Sequence, residues 1–131
     1  KIITSPLLRA RETSMIISEI LKIPIFFSNN LTEWTGINNW IGKTIEEIKT
    51  SKEYSESKSS VDLSPVEESL KSVHERVSIE YKNNVNTLFV SHQDTIRAFT
   101  YFFTNDENFS THRPKNCEIQ FIENNKIRTL T

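Results

Sequence analysis

The sequence predicts an α/β fold with a mainly parallel sheet. Three observations carry that expectation. Short β-branched or apolar runs alternate with segments of helical periodicity, in the order strand, helix, strand, loop, helix, strand, helix, hairpin. The run Thr87–Val90 is apolar without alternation, as expected of a strand covered on both faces. The chain has 131 residues with 36% hydrophobic side chains, which fits one domain with a lean core.

Taken in order, Lys1–Thr4 is β-branched and short, and Ser5-Pro6 ends it, because proline has no ladder donor and biases its predecessor to an extended shape. From Leu7 to Leu21 the apolar residues Leu7, Leu8, Ala10, Met15, Ile16, Ile17, Ile20 and Leu21 recur at helical spacing, with Pro6 in the tolerated first turn. Ile23–Phe27 is a short extended piece, and Asn29-Asn30 is a turn. Leu31–Lys43 reads as an irregular stretch and holds both glycines, Gly36 and Gly42, and both tryptophans, Trp34 and Trp40. Thr44 with Glu47 three residues on has the pattern of a capping box for a short helix to Lys49. Residues 50–64 are Ser-rich with interleaved Lys and Glu, a solvated, mobile, lid-like segment. Pro65 opens a helix over Val66–Lys82 with the stripe Leu70, Val73, Val77, Tyr81. A helix from Thr95 to about Phe103 follows the apolar strand, with Phe99, Phe102 and Phe103 in the core. Cys117–Glu123 and Lys126–Leu130 alternate around Asn124-Asn125 as a hairpin.

Composition excludes several classes. Lys and Arg total 16 and Asp and Glu 17, for a net charge of −1, so neither a nucleic acid nor an anionic membrane surface is expected as a partner. Two glycines six positions apart cannot build a glycine-rich phosphate loop. One cysteine, Cys117, leaves no internal disulfide and no multi-cysteine metal site; it reads as a small core residue. No apolar run approaches the ~20 residues of a membrane span.

In a parallel sheet, reactive groups gather beyond the carboxyl ends of the strands, which points to Ser5–Arg9 and to Ser91–Asp94. Arg9, one turn after a strand end, suits a phosphate or carboxylate with its planar fork; a surface arginine is the plainer reading, but a helix start is a poor place for a cation. His92 can face a cleft where helix amides also donate to an anion, or can be held by a local hydrogen bond. Glu33 beside Trp34 can be partly desolvated, raising its pKa toward that of a proton donor; a solvated loop carboxylate is the alternative. Ser91, His92 and Asp94 are too close in sequence to form a serine-hydrolase triad. No second cluster completes a metal site with His92 and Asp94. His74 reads as exposed and His112 as a polar-loop residue.

Four segments, in order, resemble the histidine phosphatase superfamily, the phosphoglycerate-mutase-like enzymes. Ser5-Pro-Leu-Leu-Arg-Ala-Arg-Glu-Thr13 is similar to that family's S-P-L-x-R-A-x-x-T. Leu31-Thr-Glu33 with Gly36, Trp40, Gly42, Lys43 and Thr44 resembles L-x-E…G-x-W-x-G-K-T. Glu68-Ser69-Leu70 with Arg76-Val77 resembles E-S…R-V. Phe89-Val-Ser-His92 with Ile96-Arg97-Ala98 resembles V-S-H-G…I-R-A. The resemblance implies one domain over residues 1–131 with the family's three-layer sandwich. It implies phosphoryl transfer through a phosphohistidine. Arg9, His92 and Gln93, the last standing where glycine is common, would then bind phosphate, and Glu33 would donate the proton to the leaving oxygen.

The family's Arg-His-Gly tripeptide, which carries the nucleophilic histidine on a central strand, is not in the sequence. The expectation is that this amino-terminal strand is missing and belongs upstream of Lys1. Glu33 and His92 are 59 positions apart, too close for the lid-like insertion of the family's mutases. A phosphomonoester phosphatase is therefore expected, with a phosphoglycerate mutase and a catalytically inactive phosphate-binding or interaction domain as alternatives. The expected partners are a small phosphorylated substrate and, optionally, a second copy of the chain. No cofactor and no metal are expected, activity is expected to withstand chelators, and the expected location is the cytoplasm.

Overall fold

A computed structural model describes residues 1–35, 42–52, 68–104, 113–124 and 126–130. Gly36, Trp40, His112, Asn125, the 50–64 segment beyond residue 52 and the expected helix opening at Pro65 lie outside the described residues.

Strand β1 (Ile2–Thr4) pairs in parallel with both β2 (Ile25–Phe27) and β3 (Leu88–Val90), giving the order β2-β1-β3 with Ile3 aligned to Phe26 and Phe89. All three β1 residues are buried, as a central strand of β-branched side chains requires. Its two faces contact different layers. Thr4 Oγ1 points to the Ala10 carbonyl of α1 (Leu8–Leu21), whereas Ile3 joins the core cluster on the other side. That cluster combines Ile3 and Leu31 with Leu70, Val73 and Val77 of α3 (Leu70–Asn83) and Ala98 and Phe99 of α4 (Gln93–Thr104). Helix, parallel sheet and helix pair are the three layers of an α/β sandwich.

Helix α1 departs from its expected orientation. Leu8, Met15, Ile16, Ile20 and Leu21 are exposed, and the small residues Ala10 and Ser14 face the sheet instead. Small side chains let the helix backbone approach β1, and the Ser14 hydroxyl is satisfied inside the helix by the Ala10 carbonyl at 2.8 Å. Leu7, extended, occupies the cap position, so Pro6 stands just outside the helix rather than in its first turn. The helix ends at Lys22 in the left-handed region (φ 54°), a position usually given to glycine.

The short helix α2 (Ile45–Lys49) carries the anticipated capping box, Thr44 and Glu47 bonding reciprocally. Helix α3 is capped by Ser69, whose hydroxyl accepts from Ser72 N at 3.1 Å. Helix α4 begins at Gln93, two residues ahead of the sequence expectation, because His92 supplies its first carbonyl to Ile96 N. The α3–α4 seam is aromatic, with Tyr81, Phe99 and Phe103 centroids 5.4–5.6 Å apart.

Two sequence expectations need correction. His74 is not exposed: its ring stacks on Phe99, and Nδ1 lies 3.1 Å from the Phe99 carbonyl because α4 covers this face of α3. Cys117 is not a core residue; it is exposed at φ 59°, in the turn before the hairpin. The expected hairpin is present, β4 (Ile119–Glu123) pairing antiparallel with β5 (Lys126–Leu130) as a separate two-stranded sheet. Its turn does use asparagine as expected, with Asn124 at φ 51°, a conformation this side chain tolerates. Strand β3 is half-buried and, among the described residues, is an edge strand. No described helix is long and apolar enough to cross a membrane.

Candidate active site

The sheet delivers two loops to one place. Ser5 leaves β1 fully buried, and its N–H donates to the Val90 carbonyl at 3.0 Å. His92 follows β3 and is 6% exposed, with Nε2 2.8 Å from Ser5 Oγ. A third segment is tied onto these strand ends. Ser28 N donates to the Thr4 carbonyl at 2.9 Å, and Ser91 Oγ donates to the Leu31 carbonyl at 2.8 Å. These bonds fix a 3₁₀ turn, Asn29–Leu31, and place Glu33 beside the first turn of α4.

Glu33 is half-buried. Its Oε1 accepts from Trp34 N at 2.9 Å, from Thr95 Oγ1 at 3.2 Å and from Thr95 N at 3.3 Å. Burial raises its carboxyl above the ordinary range and the Asp94 charge adds to this; the hydrogen bonds from Trp34 and Thr95 oppose them without cancelling them. Asp94 is itself paired with Arg97 at 2.5 Å.

His92 is driven the other way. Burial, then the nearby charges of Arg9 and Arg76, push its imidazole down to about 4, so the ring is neutral near pH 7. Arg9 is exposed on the first turn of α1, and no partner holds its side chain among the described residues. Arg9 bears on this neutral, buried imidazole with no carboxylate partner among the described residues, beside the amino terminus of α4, whereas the charge of Arg76 is paired with Glu68. Gln93 opens α4, and its side-chain amide donates to the Pro114 carbonyl at 2.8 Å, which leaves its backbone N–H as its group facing the helix terminus.

The depressed imidazole makes stability fall with acid. The unfolded chain binds a proton at His92 near its ordinary 6.5, but the folded chain binds it only near 4. The contribution is complete above pH 6.5, is lost progressively toward pH 4, and totals about 3 kcal/mol. Glu33, raised when folded, acts oppositely, its contribution being present in acid and lost as pH rises through its folded value. Urea unfolding from pH 7 to 4 should lose less stability in His92→Gln than in the parent, and equal losses would contradict the assignment.

Several groups at the site were not singled out by sequence. Thr95 touches Glu33, yet threonine in a helix's first turn carries no distinctive signal; Ser5, which touches His92, begins a strand-end segment the sequence did point to. Arg76 and Glu68 stood in the E-S…R-V segment without a role. Arg76 bonds both Glu68 carboxylate oxygens at 2.6 and 3.1 Å and the Asn30 carbonyl at 2.6 Å, while Trp34 Nε1 donates to the Glu68 carbonyl at 2.7 Å. The Asn30 side of Glu33 is therefore anchored to α3, and the Trp34 side to Glu68, just ahead of its cap. Among the described residues, no cluster of three or more His, Cys, Asp or Glu could hold a metal ion.

This fold defines a class: α/β proteins whose candidate site lies beyond the carboxyl ends of a parallel sheet. The chain belongs to the histidine phosphatase superfamily, branch 1, whose family model matches residues 1–128. Curated protein sequences yield no match. Among solved structures, it is similar to the native mycobacterial glucosyl-3-phosphoglycerate phosphatase, with TM-score 0.77 and 17% identity, covering 91% of this chain and 65% of that one. A second mycobacterial structure, described as hydrolase 1, gives 0.74 and 18%, covering 91% and 66%. The α-ribazole phosphatase from Shigella flexneri gives 0.67 and 18%, covering 96% and 69%. The chain thus spans just under two thirds of the two mycobacterial structures, and at these identities the likeness is one of fold.

Proposed function

We propose that the protein is a phosphomonoester phosphatase working through a phosphohistidine. The observation that carries this reading is the pairing of a carboxyl whose pKa burial raises, Glu33, with the Arg9 charge beside the buried, neutral imidazole of His92. In the first step a histidine nitrogen attacks phosphorus, the P–N bond forms, and the P–O bond to the leaving group breaks. Glu33 gives its proton to the leaving oxygen. Arg9, His92 and the first amides of α4, beginning at Gln93, hold the three phosphoryl oxygens as charge develops on them. In the second step Glu33, now a carboxylate, takes a proton from water; the water oxygen bonds to phosphorus, the P–N bond breaks, and inorganic phosphate leaves.

The nucleophile is the part of the reading that reaches beyond these residues. His92 is a phosphate ligand in this scheme, and His74 is committed between α3 and α4. The family resemblance places the nucleophile in an upstream Arg-His-Gly strand. The open edge of β3 among the described residues supports that placement, since an unpaired parallel strand is a liability that a further strand would remove. A phosphatase rather than a mutase is favoured by the short span between Glu33 and His92, and the phosphatase neighbours agree. A homodimer is favoured by the exposed apolar residues of α1 together with Phe26 and Phe27 of edge strand β2, and solution mass by light scattering checks it. A cytoplasmic setting completes the reading.

The test is chemical trapping in the full-length protein. Brief exposure to a radiolabelled phosphomonoester, with EDTA present, should leave a protein-bound phosphate that is labile in acid and stable in base. Absence of that adduct with turnover intact, or loss of turnover on chelation, would refute the scheme. Absence of both adduct and turnover, with phosphate still bound, would establish the inactive binding domain instead.

A further inference from the structure

We infer that Thr95 is a positioning residue for Glu33: it holds one carboxyl oxygen, Oε1, so that the other, Oε2, carries the proton that is delivered. This rests on the proton-donor reading of Glu33. The geometry is specific. Thr95 lies in the first turn of α4 and is 1% exposed. Its Oγ1 donates to the carbonyl of Thr32 at 2.8 Å, on the residue immediately before Glu33, and stands 3.2 Å from Glu33 Oε1. Its backbone N–H reaches the same oxygen at 3.3 Å, and Trp34 N–H reaches it at 2.9 Å.

Two of the three groups at Oε1 are amide donors. An amide N–H cannot accept a hydrogen bond, so an acid hydrogen on Oε1 would forfeit both amide bonds and have only the Thr95 hydroxyl oxygen, 3.2 Å away, to receive it. Among the described residues no hydrogen bond reaches Oε2. The neutral acid therefore keeps its carbonyl-like oxygen against α4 and its hydroxyl on Oε2. The hydroxyl of Thr95 has one hydrogen for two acceptors. It can serve the Thr32 carbonyl while Glu33 is neutral and lean on Oε1 once the proton has left, which stabilises the carboxylate formed in the transition state. Asp94, on the same turn and paired with Arg97, is the other charged group bearing on Glu33.

The experiment uses the full-length protein and two phosphomonoesters. One is an alkyl ester, whose alkoxide needs a proton; the other is p-nitrophenyl phosphate, whose phenolate does not. Thr95→Val keeps the backbone amide and removes the hydroxyl, and should lower the alkyl-to-aryl ratio of kcat/KM by roughly tenfold, the loss expected of one hydrogen bond to a charged group. Thr95→Ser should restore most of that ratio. In Thr95→Val the Glu33 carboxyl, followed by carbon NMR, should titrate higher than in the parent, because a bond to the ionised form is gone. An unchanged ratio in Thr95→Val, alongside a ratio that collapses in Glu33→Gln, would overturn the role of Thr95. A ratio unchanged in Glu33→Gln itself would overturn the proton-donor reading instead. An unmoved Glu33 titration in Thr95→Val, or in Thr95→Ala should the valine variant not fold, would overturn the inference independently of turnover.

Discussion

Glu33→Gln should slow the hydrolysis of an alkyl phosphate by ~10²–10⁴-fold, the usual contribution of a positioned general acid, and should slow p-nitrophenyl phosphate far less. The reason is in the site. Burial keeps a proton on Glu33 above the ordinary carboxylate range, and the residue sits on a segment fixed from three sides, by Ser91, by Arg76 and by Thr95. Glutamine has nearly the same shape and keeps an oxygen for the amides of Trp34 and Thr95, so the fold should tolerate it. What it lacks is a transferable proton. The alkaline limb of the pH–rate profile for the alkyl ester, which marks ionisation of Glu33, should vanish in the variant. Equal slowing of both esters would mean that Glu33 positions substrate rather than protonating it.

Arg9→Ala should lower kcat/KM by ~10²–10³-fold, the scale of removing one preorganised group from an anion site, and should weaken vanadate binding. Arg9 spends no part of its charge on a partner among the described residues, so its charge is available to a ligand. Its field falls on His92 and adds to the burial that pushes that imidazole down to about 4. Removing it should therefore raise the His92 pKa. A bound phosphate dianion should raise the same pKa in the parent protein, because it supplies the negative charge the empty cleft lacks. Proton NMR of the His92 ring reads both changes. A pKa indifferent to Arg9 and to phosphate would remove Arg9 from the site.

The candidate site was legible to the extent that it depends on strand ends. Ser5 and His92 lie where a parallel sheet exposes its carboxyl edge, and that edge follows from the short β-branched and apolar runs themselves. The capping box of Thr44 and Glu47 was equally local, since three residues of separation contain the whole device. The orientation of α1 was not legible. Its apolar residues recur at helical spacing, but periodicity says only that a face exists, and here the close approach to β1 selects the small face of Ala10 and Ser14. His74 was misread for the matching reason: only α4, distant in sequence, turns its polar-looking position into a stacked contact with Phe99.

By itself the sequence determined the class of the protein: an α/β chain of the histidine phosphatase superfamily, with Arg9, Glu33 and His92 as the residues to ask about. Their chemistry needed the tertiary structure. A carboxyl's pKa is raised, and an imidazole's is lowered, because of what surrounds them in space. The desolvation of Glu33, the oxygen of it that Thr95 holds, and the fields of Arg9 and Arg76 at His92 arise between segments tens of residues apart. Electrostatic energies depend on distance and burial, and neither is a property of sequence spacing.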